Sequence, residues 1–256
     1  MSDFIGRPDL AIRWLQKAAR REIRPLYADD LAEAWADLGE DAEAEKAFHT
    51  AMVFRPDSPM AAVGLAKLSL FHGDFDGARQ QCESARAKYK GDPSLLVMEA
   101  VSEFFGRRFE HAEQLYREAS VTHRTGGVMF PGAVRFISAL GYIQNLSPVR
   151  ALQGKALLEE ARTLDKRELS KAGENAWLWY DLATNNAVLG DSDAAIESLG
   201  TAIRLGWIDY RSTMLDPRFD SLRGNQAFED LLAALKNKMD MMRRNTSHLK
   251  STSTHD

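Results

Sequence analysis

A single cysteine, Cys82, stands among the 256 residues, so no disulfide can form within the chain. A reducing compartment fits that scarcity, and a cytoplasmic setting is expected. Long apolar runs are missing too. The longest, Met60 to Phe71, is broken by Lys67 and Ser69 and is far short of a bilayer span, so no membrane association is expected. No basic, apolar, small-residue leader opens the chain, so secretion is not signalled. Neither sign of charge dominates. Lys plus Arg is 33 and Asp plus Glu is 37, a formal net charge of -4, which offers a polyanion no global attraction.

Catalytic signatures are equally scarce. The histidines are His49, His72, His111, His123, His248 and His255, and no pair has the HExxH spacing. Cys82 has no CxxC partner, so no metal site is expected. There is no GxxxxGK[ST] loop and no GxSxG elbow. Gly126-Gly127 follows no strand and reads as a loop. No catalytic residue and no cofactor are assigned, and an enzyme is not expected. Cys82 reads as a small buried hydrophobe, with a redox-sensing thiol as the alternative. His72 reads as a helix-end residue satisfying terminal carbonyls.

What the chain does have is a period. Ala32, Ala66 and Ala100 are 34 residues apart, as are Ala44, Ala78 and Ala112, and Ala51, Ala85 and Ala119. Phe48, Cys82 and Tyr116 follow the same step. Ala183, Ala195 and Ala202 repeat the internal spacings. Small side chains at these points let paired antiparallel helices approach closely, and a larger one would cost about 1–3 kcal/mol by overpacking. Gly39, Gly73, Gly106 and Gly190 sit near the turn within each pair. Gly73-Asp74 and Gly190-Asp191 read as a glycine stop followed by an acidic helix start. Pro56 and Pro93 mark joins between units.

The period, the alanine columns, the Gly-Asp-Phe turn at 73–75, the Arg-Pro-Asp join at 55–57 and Trp179, Leu182 and Ala183 resemble tetratricopeptide repeats. The resemblance spans residues 6–206: a half repeat at 6–20, full repeats at about 25–58, 59–92 and 93–124, a degenerate unit at 131–166, and a clear unit at 176–206. Extra residues fall at 125–127 and around 167–173. Glu99 departs from the pattern, standing where a first-helix leucine is usual. The resemblance implies an all-α, right-handed superhelical solenoid.

The two ends differ from the array. Residues 6–18 look like a second helix without its first. Either the chain is a fragment, or something covers Ile12 and Trp14, and self-association through this uncapped face is a third reading. At the other end, 207–244 is expected to cap the array. Its last helix is predicted at Gln226–Arg243, with Asn225 as N-cap and Phe228, Leu231, Leu232 and Leu235 at helical spacing. The tail 245–256 is expected to be disordered. The Leu205-Gly206-Trp207 exit, the Asp216-Pro217-Arg218-Phe219 turn and the Phe-x-x-Leu-Leu helix resemble endings attached to bacterial class III adenylate or guanylate cyclases and to winged-helix activators. That implies a bacterial regulatory context.

In the repeat family, first helices line a concave face on which partner segments lie. Its positions here are Asp29, Asp30, Glu33 and Asp37, then Lys67 and Phe71, then Val97, Met98, Val101, Phe104 and Phe105, and finally Trp177, Tyr180 and Asp181. This describes an acidic mouth leading to an apolar floor. The family's carboxylate clamp needs Lys, Asn and Arg where Asp29 and Glu33 stand, so an acidic C-terminal peptide is excluded. The expected function is a protein–protein interaction scaffold or sensor. Its partner would be a protein or peptide with apolar anchors and some basic character, not a nucleic acid. The alternative is a non-catalytic regulatory fragment of a cyclase or winged-helix activator. The aromatics can equally pack between helices, and the acidic run can equally be a solvated face. Two basic clusters, Arg13, Lys17, Arg20, Arg21 and Arg24 and then Lys236, Lys238, Arg243 and Arg244, sit near helix C-termini, where cations complement the macrodipole.

Overall fold

Helix boundaries keep the same step as the alanines. The computed structural model describes residues 6–21, 26–122, 135–171 and 173–253. Three pairs run in register: α2 (Leu26–Asp37) with α3 (Asp41–Phe54), α4 (Met60–Phe71) with α5 (Phe75–Lys88), and α6 (Pro93–Phe105) with α7 (Phe109–Thr122). They follow α1 (Pro8–Arg21). Then come α8 (Phe136–Asn145) with α9 (Ala151–Leu169), and α10 (Ala176–Val188) with α11 (Ser192–Arg204). The exit holds a short α12 (Tyr210–Leu215), a 3-10 turn at Pro217–Leu222, the long α13 (Gln226–Thr246) and a second 3-10 turn at Ser247–Ser253. From α1 to α11 each helix packs on the next, and α2 packs on α4, α4 on α6 and α8 on α10, so the first helices lie side by side. The fold is an all-α solenoid. Among the described residues, no helix is long and apolar enough to cross a membrane.

Local chemistry explains the punctuation. Asp74, Asp92 and Asp191 each accept a hydrogen bond from a first-turn backbone N–H, and Pro93 fills the position after its cap. Gly39 and Gly73 take φ of 70° and 76° just past α2 and α4. The third pair departs from the predicted glycine. Gly106 keeps φ -72°, and Arg107, one residue later and in true 34-residue register, takes φ 62°. It is the one non-glycine with positive φ among the described residues.

The columns pack as their sizes demand. Ala32, Ala66, Ala100, Ala44, Ala78, Ala112 and Ala119 have no exposed surface, nor do Phe48, Cys82 and Tyr116. Phe48 fills the space over Gly64, where a Cβ would lie 2.1 Å from the ring. Burial pushes the Cys82 thiol up to about 12, which leaves it unreactive. Glu99, the departure from the repeat pattern, is buried and meets Arg86 at 2.8 Å. The His72 ring pairs with Asp41 at 2.8 Å, so it braces the preceding α2–α3 turn rather than its own helix carbonyls.

The ends meet. Ile12 is buried, and α13 packs on α1. Trp14 remains 59% exposed. Gly6 approaches Gly206 so closely that a Cβ would lie 2.5 Å from the Gly206 carbonyl oxygen. Arg243 donates to the Leu38 carbonyl at 2.8 and 3.0 Å, and Lys250 meets Glu40 at 2.5 Å. Asn225 caps α13 as predicted, accepting from the Ala227 and Phe228 N–H groups. The disorder expected from Asn245 is corrected: α13 runs to Thr246 and a 3-10 turn to Ser253, because contact with the first repeat gives these residues partners. The degenerate unit begins at Phe136 among the described residues, and α9 absorbs 167–169 of the expected insertion. Residues 125–127, Arg24, His123 and His255 lie outside the described residues.

Candidate functional site

The residues predicted to line the concave face separate into three environments. Val97, Met98, Val101, Phe104 and Phe105 are a correction to the predicted floor. All are at most 2% exposed and belong to the interior, because α6 is enclosed by α4, α5 and α7. Phe104 packs edge-on against Phe109, Tyr116 and Tyr142 at 5.5–6.0 Å, the arrangement ring quadrupoles favour.

The second environment is already occupied. The chain's own exit segment buries Tyr180 and Asp181 and lies against Phe71 and Trp177. Trp207 stacks on Tyr180 at 3.9 Å and meets Trp177 edge-on at 5.0 Å. Phe219 contacts Tyr180 edge-on, and the Tyr180 hydroxyl donates to Asp216 at 3.0 Å. Arg218, 1% exposed, donates to Asp181 at 3.1 Å and to Asp216 at 2.7 Å. The Arg211 guanidinium lies 3.9 Å from the centre of the Phe71 ring, pairs with Asp41 at 2.7 Å and donates to the Ala36 carbonyl. Burial opposes the charge on Arg218, but Asp216 and Asp181 outweigh it and raise its pKa.

Asp181 also belongs to a larger buried set. Arg135 stands 3.3 Å from Asp165 and 3.4 Å from Asp181, Asn185 donates to Asp165 at 3.0 Å, and Ser138 donates to Asp181 at 3.3 Å. Burial, then the Asp181 charge, pushes the Asp165 carboxyl up to about 8. Both arginines face Asp181 and only Arg135 faces Asp165, so Asp165 has the weaker compensation for its burial. The sequence reading missed Asp165, Asn185, Asp216 and Arg218. One signal was available: Leu158, Ala161, Asp165 and Leu169 form a buried helical stripe, and a carboxylate inside such a stripe needs a buried partner.

The third environment is the acidic corner of α2 and α4. Arg55 meets Asp29 at 2.8 Å, and Lys67 bridges Glu33 at 2.7 Å and Asp37 at 3.4 Å. Burial works against the Lys67 charge, but Glu33 and Asp37 hold its ammonium above the usual range. Asp30 has no ion-pair partner among the described residues. Its carboxyl is raised by burial and by the charges of Asp29 and Glu33.

Among the described residues, no group of three or more His, Cys, Asp or Glu could hold a metal ion. No protein-family model matches the sequence, and no curated protein matches it. Several solved structures are similar to it. PilF of Pseudomonas aeruginosa is 17% identical, over 90% of this chain and 97% of that one, with a TM-score of 0.46. The MamA MSR-1 structure is 16% identical, over 72% and 97%, with a TM-score of 0.35. Yeast Tom70 is 17% identical, over 94% of this chain and 56% of that one, with a TM-score of 0.32. All three superpose loosely, so the fold assignment rests on this chain's own helix order and register.

Proposed function

We propose that the chain is a non-catalytic protein-docking scaffold that takes a basic, apolar partner segment at the acidic corner of α2 and α4. The crowding of Asp29, Asp30, Glu33 and Asp37 around Lys67 and Arg55 carries this reading. Carboxylates outnumber cations there, so an incoming arginine or lysine relieves repulsion that the chain leaves in place. The exit segment supports the same chemistry. The wall accepts Arg211 on Phe71 and Arg218 on Asp181, together with Trp207 and Phe219, so it already holds a ligand of basic and apolar character. A cytoplasmic setting, supported by the single cysteine, and a bacterial regulatory one, supported by the resemblance of the 205–235 ending, belong to this proposal. A non-catalytic regulatory module of a cyclase or winged-helix activator rests on that same resemblance.

The test is affinity capture from the native host, with a fluorescent peptide carrying Lys-Phe-Arg as a defined probe. Reversing Asp29, Asp30 and Glu33 to lysine is expected to weaken capture and probe binding at least about tenfold. Unchanged affinity in a folded triple variant overturns the reading.

A further inference from the structure

The two ends of the described chain meet, and Arg7, just before α1, comes to lie beside Lys238 and Arg244 of α13. These residues are over two hundred positions apart in sequence, yet α1 and α13 pack together. Between them lies a cleft of ≈ 410 Å³, lined by Arg7, Lys238, Met241, Met242, Arg244 and Asn245. Its apolar lining is Met242, which is buried, and Met241, which is 60% exposed at the rim.

The charge at this cleft is left unbalanced. The nearby carboxylate Asp9 is buried and already engaged by Arg7 at 2.9 Å and Asn245 at 3.1 Å. Asp240 is engaged by Lys236 at 2.8 Å and Arg243 at 3.5 Å. Lys238 donates to the Ile203 carbonyl, and Arg13 to the Asn245 carbonyl, at 3.2 and 3.1 Å. Neither bond supplies a counter-charge. Burial, and then the neighbouring Arg7 charge, lowers the Lys238 pKa.

We propose that the α1–α13 cleft docks an acidic peptide segment, with one bulky apolar side chain against Met241 and Met242 and carboxylates against Arg7, Lys238 and Arg244. The concave floor selects the occupant. Thioether side chains adapt to an inserted aliphatic or aromatic group. A phosphate backbone has no use for an apolar floor and wants a longer basic stripe. A lipid surface engages protruding apolar side chains rather than a cleft. The site is independent of the acidic corner and opposite to it in charge, so one scaffold would hold two partners of complementary character.

Fluorescence anisotropy on the full chain tests this, with a labelled glutamate-rich peptide carrying a central Leu-Phe pair. Saturable binding is expected, weakened at least about tenfold by Lys238→Glu with Arg244→Glu and by raised salt. Arg244→Glu alone, on an exposed side chain, is expected to weaken it about threefold without disturbing thermal unfolding. Lys238→Arg is expected to preserve it, and Lys155→Glu, on α9, to leave it unchanged. Absence of saturable binding up to about 1 mM overturns the proposal, as does full binding by the folded double variant. Tighter, charge-dependent binding of a single-stranded oligonucleotide or of phosphatidylserine vesicles overturns it in favour of a phosphate-binding face.

Discussion

In the three pairs from α2 to α7, the buried columns are alanine backed by one larger side chain, and the buried carboxylates Glu99, Glu103 and Glu113 are met by arginines that reach solvent. Around α10 the interior instead holds Arg218, Asp181, Asp216, Asp165 and Asn185. The alanine region gains its contact area by close backbone approach, which is tolerant and repeatable. The polar region gains specificity: Arg218 fits only where two carboxylates meet it, so the exit segment can seat in one register. Alanine packing stacks unit on unit, and the buried ion network stops the stack and turns the chain back.

Breaking the network should have the largest effect. Arg218→Met leaves Asp216 without its cation and Asp181 with Arg135 alone, and is expected to cost about 3–5 kcal/mol in urea denaturation. A loss under about 1 kcal/mol would mean that the apolar contacts of Trp207 and Phe219 hold the segment alone. On the other side of the comparison, Ala112→Leu is expected to cost about 1–3 kcal/mol by prising α7 from α6, measured in the same way.

A pH titration separates the two regions further. Asp165 has a folded pKa above its unfolded value, so the native state binds the extra proton between about pH 4 and pH 8. Its stabilising contribution is complete below the unfolded pKa and is lost as pH rises through about 8. Stability should therefore fall with pH across that window, by at most about 1.4 kcal/mol per unit for one proton. In Asp165→Asn, an amide can donate to Asp181 as the protonated acid does, and this slope should flatten. An unchanged slope would place the shared proton elsewhere.

The smallest effect is expected at Arg107. Arg107→Gly relieves a left-handed backbone worth about 1 kcal/mol but removes a half-exposed ion pair with Asp220 worth up to about 1 kcal/mol. The net change should lie near zero. A clear loss would show that the pair helps to seat the exit segment on the α6–α7 turn.

Much of the array was legible because its signals are local. The alanine columns, Asp74 and Asp191 as caps and Asn225 at the start of α13 each report contacts within a helix or with the adjacent one. The turn of the third pair misled, because Gly106 is the obvious glycine while the register falls on Arg107. Of the predicted wall, Tyr180 and Asp181 were legible as inward positions but not as positions already filled. Their occupants, Trp207 and Arg218, lie on another element. The α6 residues read as floor became core because helices on several sides enclose them, and a one-dimensional stripe does not count neighbours.

The residue spacing by itself determined the helix pairs, their step and their alanine seams, since each depends only on side-chain size between immediate neighbours. Tertiary structure alone decided that α13 would come to rest on α1, that Arg211 and Arg243 would reach the α2–α3 turn, and that Arg7 would share a cleft with Lys238 and Arg244. Those meetings depend on the sum of many small rotations from one pair to the next, and a repeat length records the step but not the angle.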